Sequence, residues 1–356
     1  MTRLKMAVVG VGALGRHHAR ILSTLDSVEL VGVAEKDVEM GRSVAEACGC
    51  AHVTDFHDLL GDVDALTIAV PTSAHLAVAG DCLQAGLPVM VEKPIAGTLD
   101  DAARLVDLAD RRNVVLQVGH VERFNPAVTE AFGQIDRPRY LRVERLSPFA
   151  FRSTDIGVVH DLMIHDLELI LALVDAPIRS VQAFGVSLMG GHEDSVQARI
   201  AFTNGCIADI TASRVHPEPR RVLTSWSASG CVHVDLHTRH LTSYRPSQAL
   251  LSGPSPLELA AEPGANIDDL KQSVFGKFIT VHEPDISDSD ALTDELQHFA
   301  DCVTSGRRPL VGGAEALRAM VAADQVLASV AEHLWDGHAA GAQGPQARRP
   351  HSRRAA

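Results

Sequence analysis

From residue 4 onward, short apolar runs alternate with segments in which apolar residues recur every three or four positions. The runs at 4–9, 28–33, 51–54, 65–70, 88–91 and 114–118 read as strands. Between them, 38–48, 74–85 and 100–111 carry helical spacing, and 56–60 a helical turn. Leu14, His18, Ile21, Leu22 and Leu25 share one face of a further helix after the first strand. Strand and helix in alternation predict a parallel sheet covered on both faces. The expected class for this part is α/β, doubly wound.

Beyond Asn125 the period changes. A helix at 162–173 is followed by longer alternating runs at 180–188, 196–202, 206–213 and 222–228. Thr203-Asn204-Gly205 and Ser229-Gly230 supply turns between them, as antiparallel neighbours require. This predicts an α+β domain with a mostly antiparallel sheet. Residues 246–270, rich in Pro, Gly and Ser, read as an excursion or lid. Late helices centre on Leu292, Leu296, Phe299 and Val303, ended by Gly306, and on Leu317, Met320, Val321 and Leu327. The expected division is one domain over 1–120 and a second over 121–336, with the helices of 289–335 free to pack back on the first. A disordered tail is expected at 337–356.

Composition narrows the function classes. A length of 356 residues exceeds what one core supports, and 46% apolar content suffices for two. No apolar run reaches the length of a membrane span, and the first residues lack the pattern of a secretory signal. A cytoplasmic protein is expected. Six cysteines without a CxxC pair read as free thiols. The formal net charge of −13 argues against nonspecific nucleic-acid binding. Arg348, Arg349, Arg353 and Arg354 lie in the Ala/Gly/Pro/Gln-rich tail, which reads as disordered rather than as a basic arm.

The chemistry concentrates where strands end. Gly10-Val11-Gly12-Ala13-Leu14-Gly15 is GxGxxG between a strand and an amphipathic helix. Gly10 suits the tight turn, Gly12 lets a pyrophosphate approach, and Gly15 lets helix and strand pack closely. Glu35 ends the second strand, where a carboxylate receives the adenosine ribose and repels a 2′-phosphate. NAD is therefore expected over NADP, with Lys36 beside Glu35 partly offsetting that repulsion. Pro71, Thr72 and His75 follow the fourth strand, and Gly119 and His120 the sixth, all at the carboxyl edge of the sheet. Thr72 and His75 serve the cofactor or simply cap the next helix.

Glu92-Lys93-Pro94 follows the fifth strand, again at the carboxyl edge, where Glu92 and Lys93 are also candidate cofactor contacts. Only five of the 32 Lys and Arg residues are lysine, and an ammonium can exchange a proton where a guanidinium cannot. In His160-Asp161-Leu162-Met163-Ile164-His165-Asp166, a helix places Asp161 and His165 on one face, as a general base and its orienting carboxylate need. Two other readings of this segment stay open: a metal cluster of His160, Asp161, His165 and Asp166, and a helix start with solvated charges. Hydride transfer to NAD needs no metal, and none is expected. His120, Arg123, Asn125 and Arg152 are candidate substrate contacts, the last three equally open to a reading as structural ion-pair partners.

Taken together, GVGALG at Gly10, EKP at Glu92, GHVERFNP at Gly119 and the spacing of Asp161 and His165 resemble the Gfo/Idh/MocA oxidoreductases. The resemblance implies a Rossmann domain followed by a sheet domain that often assembles dimers or tetramers. It implies Lys93 at the site of hydride transfer, with Asp161 and His165 completing a triad. It also implies a Lys93–Pro94 peptide that is often cis. Glu35 stands where Asp is more usual, and His160 where an apolar residue is commoner. Arg145-Leu146-Ser147-Pro148-Phe149 and the stretch from Phe151 to Asp155 are similar to a branch acting on UDP-N-acetylglucosamine. That branch oxidises the sugar's 3-hydroxyl, ahead of transamination toward a diamino lipid A. The alternatives are an inositol or free-sugar dehydrogenase, a biliverdin-reductase-like enzyme, an NAD-binding redox sensor without turnover, and a metal-dependent hydrolase.

Overall fold

The computed structural model describes residues 3–151, 156–337 and 339–347. In chain order it begins with β1 (Leu4–Val9), α1 (Gly15–Leu22), β2 (Val28–Ala34), α2 (Val38–Cys48) and β3 (Ala51–Val53). Next come β4 (Ala65–Ile68), α3 (His75–Gln84), β5 (Val89–Glu92), α4 (Leu99–Arg112) and β6 (Leu116–Gly119). They are followed by α5 (Pro126–Gln134), β7 (Tyr140–Leu146), α6 (Ile164–Val174), β8 (Ile178–Val186), β9 (Ser195–Phe202) and β10 (Ile207–Ser213). After these run β11 (Arg220–Ser227), β12 (Gly230–Asp235) and β13 (His240–Pro246). Three short helices, α7 (Gln248–Ser252), α8 (Pro256–Ala261) and α9 (Ile267–Gln272), precede β14 (Ile279–His282). The last long elements are α10 (Ala291–Ser305) and α11 (Gly313–Glu332).

The chain forms two units: residues up to Asn125 with Ser289–Val321, and Pro126–Asp288 with the chain from Ala322 onward. In the first, six parallel strands run in the order β3-β2-β1-β4-β5-β6. Every residue of β4, β5 and β6 is buried, as expected of strands covered on both faces. The helices carry their own start and stop signals. Asp37 caps α2 by accepting from the N–H groups of Glu39 and Met40, and Thr98 caps α4 through Asp101 N. Helix α10 belongs to this unit and ends at Gly306 with φ of 68°. Its Leu296, Phe299 and Ala300 share a core with Met6, Val8, Ile21, Leu22 and Met90.

The second unit is built on eight strands in the order β14-β13-β12-β11-β7-β10-β9-β8. All pairs are antiparallel except β7 with β10. Along β9, Val196, Ala198, Ile200 and Phe202 are buried while Gln197 and Arg199 are exposed, so one face of the sheet packs inward. That face meets Met163, Leu167 and Ile170 and, from α5, Ala127, Val128 and Ala131.

The pattern of apolar positions did not reveal α5, β7, β12, β13 or β14. In β7 the alternation is broken by Arg142, Glu144 and Arg145, and ion pairs rather than apolar contacts let the last two be buried. The tail departs from the expected disorder over its described part. Ala339–Ala340 pairs with Leu334–Trp335. Beyond it, Gln343 N donates to Gly185 O at 3.0 Å and Gln343 O accepts from Ser187 N at 2.7 Å. Strand β8 is one edge of the sheet, and its open backbone groups order a segment whose composition alone promises no structure.

Candidate active site

At the carboxyl ends of β1, β2 and β4 lies a cavity of about 540 Å³. Its wall includes Gly10, Gly12, Glu35, Phe56, Pro71 and Ser73. The volume suits a drug-sized or cofactor-sized ligand. Gly10 N is tied to Ala34 O at 2.8 Å, and its φ of 83° favours glycine. A Cβ on Gly15 would stand 1.8 Å from Gly10 O, so α1 can start this close to β1 only through glycine. Gly12 differs: a Cβ there would meet nothing within 4 Å, so the protein's own packing does not require it. No side chain caps the start of α1, and Ala13 and Leu14 are exposed there. Open space over a glycine, at an uncapped helix start, fits a phosphate-bearing ligand.

Glu35 bridges this loop. Its Oε2 accepts from Val11 N at 3.0 Å and its Oε1 from Asp37 N at 3.1 Å, which fixes the carboxylate on the cavity wall. Lys36 also lines the cavity. Thr72 and His75 do not. Thr72 opens a 3₁₀ turn, and His75 is buried beneath it. The His75 ring lies between two carbonyls, with Nε2 3.0 Å from Val70 O and Nδ1 2.9 Å from Pro94 O. Burial holds its pKa below the ordinary value, and the neutral ring donates to one carbonyl at a time. His75 is thus a strut joining the end of β4 to the turn after β5.

That turn contains the cis peptide Lys93–Pro94. Of Glu92, Lys93, Pro94, Ile95 and Ala96, Lys93 alone is not buried. Glu92 faces inward, Oε1 3.2 Å from Nε2 of His18 and Oε2 accepting from Lys93 N at 3.3 Å. By its spacing His18 counts among the core positions of α1. A histidine within that apolar stripe was the available signal. His120, after β6, is fully buried, and burial, then the charges of Lys93 and Arg123, push its pKa down to about 3. Its imidazole is therefore uncharged beside a lysine. Arg123 is half-buried, whereas Asn125 is buried and donates to Glu122 Oε2 at 3.4 Å.

In the second unit, a π turn over Val159–Met163 leads directly into α6. Asp161 and His165 are both half-buried on this segment, between the buried Met163, Ile164 and Asp166. Asp166 pairs with Arg145 inside the unit, and His160 Nε2 lies 3.4 Å from Asp324 Oδ1 on α11. Two of the four polar residues that could have made a metal cluster thus have other partners, and no group of three metal-ligating side chains occurs among the described residues. Arg152 lies outside the described residues.

Residues 4–120 match the oxidoreductase family with an NAD-binding Rossmann fold, and residues 127–230 match the GFO/IDH/MocA C-terminal domain. The chain is similar to UDP-N-acetylglucosamine 3-dehydrogenase of Acidithiobacillus ferrooxidans, 33% identical over 94% of this chain and 99% of that protein. It belongs to the Gfo/Idh/MocA oxidoreductase family. As a member of that family it is an oxidoreductase, and its cofactor is NAD. The solved structure of the Acidithiobacillus ferrooxidans enzyme superposes with a TM-score of 0.80 at 32% identity, covering 92% of this chain and 98% of that one. Among other Gfo/Idh/MocA relatives, scyllo-inositol 2-dehydrogenase (NAD(+)) of Bacillus subtilis is 27% identical over 87% of this chain and 89% of that protein.

Proposed function

We propose that the chain oxidises the 3-hydroxyl of UDP-N-acetylglucosamine, or of a related nucleotide sugar, to a ketone. The observation that carries this reading is the 33% identity to a UDP-N-acetylglucosamine 3-dehydrogenase through nearly the whole of both chains. Identity to the inositol enzyme is lower, at 27%.

Gly10, Gly12, Ala13, Leu14 and Gly15 would hold the pyrophosphate of NAD against the start of α1, and Glu35 would receive its adenosine ribose. Pro71 supplies part of the same wall. NAD, when bound, supplies the acceptor for the hydrogen and two electrons that leave the carbinol carbon. His165, with Asp161 to orient it and stabilise its protonated form, takes the hydroxyl proton. Lys93 donates to that oxygen as negative charge grows on it and then to the ketone oxygen. Glu92, His75 and His120 act from behind Lys93. Arg123 or Arg152 is the proposed partner of the substrate diphosphate.

The working form is proposed to be a homodimer or homotetramer. Support comes from the open sheet face, where Phe184 and Trp226 are exposed near a cavity of about 770 Å³ lined by Tyr140, Arg142 and Arg199.

The test is NADH formation with UDP-N-acetylglucosamine, free N-acetylglucosamine and myo-inositol at matched concentrations. The nucleotide sugar should give the highest kcat/KM, because its remote nucleotide holds the reacting carbon in place. A preference for inositol, or no turnover with any UDP-sugar, overturns the substrate assignment.

A further inference from the structure

We propose that His18 is a positioning residue for Lys93, acting through the carboxylate of Glu92. The proposal rests on the role given to Lys93 above. His18 lies on the inward face of α1 among Ala19, Ile21 and Leu22, and its exposure is 0%. Neither ring nitrogen has a hydrogen-bond partner of good geometry among the described residues. A buried polar group left in that state costs about 1–3 kcal/mol, so an apolar residue would serve the helix better if packing were the only demand. The Glu92 carboxylate lies next to it, with Oε1 3.2 Å from Nε2.

The carboxylate is fixed from three sides. His18 approaches from α1, the Lys93 N–H donates to Oε2, and Gly119 lies opposite in the adjacent strand. A Cβ on Gly119 would stand 2.6 Å from Oε1, so glycine at this point of β6 leaves the carboxylate its present place. Three elements thus converge to keep one charged group inside the sheet edge. The consequence is local. The carboxylate is turned inward against the backbone of Lys93, and Lys93 is the one residue of Glu92–Ala96 that is not buried. Displacing a reacting group by about 1 Å can cost a hundredfold in rate. Small losses of order at Glu92 should therefore register in turnover well before they register in cofactor binding.

The experiment compares His18→Leu, which removes the polar nitrogen beside Glu92 at similar volume, with His18→Gln, which keeps a polar N–H group of similar reach. Turnover is expressed per NAD-binding site, and amide hydrogen exchange is followed in the peptide spanning Glu92–Ala96. His18→Leu is expected to lower kcat ten- to a hundredfold, with the Kd for NAD within about twofold. Exchange in the turn should accelerate about tenfold in the same variant. His18→Gln should recover kcat to within about threefold and restore slow exchange. If His18→Leu does not fold, Glu92→Gln serves in its place, and the His18→Gln, Glu92→Gln pair should be no slower than Glu92→Gln alone. Normal kcat and exchange in His18→Leu, or a His18→Gln as impaired as His18→Leu, overturns the proposal and leaves His18 a packing residue. Full activity in Lys93→Ala removes the parent reading instead, and hydrogen exchange then still decides whether His18 holds the turn.

Discussion

The guanidinium of Arg145 grips the carboxylate of Asp166, with Nε 3.0 and 3.1 Å from its two oxygens and Nη2 2.8 Å from Oδ1. Both side chains are almost fully buried, at 4% and 1% exposure. Removing one partner of such a pair strands the other charge and costs about 3–5 kcal/mol. Asp166→Asn should lose stability of that order in urea unfolding. Asp161→Asn, five residues earlier and half-buried, should change stability by no more than about 1 kcal/mol while lowering kcat. The reverse assignment of effects would exchange the roles of the two aspartates.

Lys93→Ala and His165→Ala should each lower kcat by roughly a hundredfold or more, the range for losing an acid–base partner. Neither side chain lines the cavity at the glycine loop, so the Kd for NAD should change by less than about threefold. Fluorescence titration and initial rates measure the two quantities separately. Near-normal turnover in either variant takes that residue out of the chemical step.

Much of the first unit was legible because its signals are local. The continuous apolar runs became buried parallel strands, and the glycine spacing at Gly10–Gly15 has the steric reason the sequence suggests. What escaped depends on partners distant in the chain. Strand β7 hid behind charges that are balanced by Asp166 and Arg220. His160 made no sense until Asp324, more than a hundred residues later, lay beside it. His75 sits at the expected sheet edge, yet its ring turns inward to two carbonyls, an orientation no spacing rule encodes.

Glu35 should set the choice of cofactor. Its carboxylate, held by Val11 N and Asp37 N, presents a fixed negative charge on the cavity wall. A 2′-phosphate at the ribose would meet that charge. NAD should therefore bind at least about tenfold more tightly than NADP, equal to about 1.4 kcal/mol. Glu35→Gln should narrow the gap by removing the charge while keeping an acceptor. Equal affinities in the unaltered protein, measured calorimetrically at moderate salt, would show that Glu35 does not face the ribose.

His120 should make the fold acid-sensitive in a defined window. Its pKa in the folded protein is pushed down to about 3, first by burial and then by Lys93 and Arg123. An unfolded chain returns it to about 6.5. Between these values the unfolded state binds a proton that the folded state refuses, so stability falls as pH drops through this range. Above about 6.5 both states are neutral and His120 contributes no pH dependence. Each pH unit inside the window is worth about 1.4 kcal/mol, hence roughly 3 kcal/mol between pH 6.5 and 4.5. His120→Asn removes the titrating group. Whatever the variant loses at pH 7.5, its stability relative to the parent should improve by about 3 kcal/mol when urea unfolding is repeated at pH 4.5. Lys93→Ala should relieve the sensitivity only in part, because burial is the larger cause. A parent-to-variant difference that stays constant from pH 7.5 to 4.5 would mean that His120 accepts a proton within the fold, and its neutral state beside Lys93 would have to be abandoned.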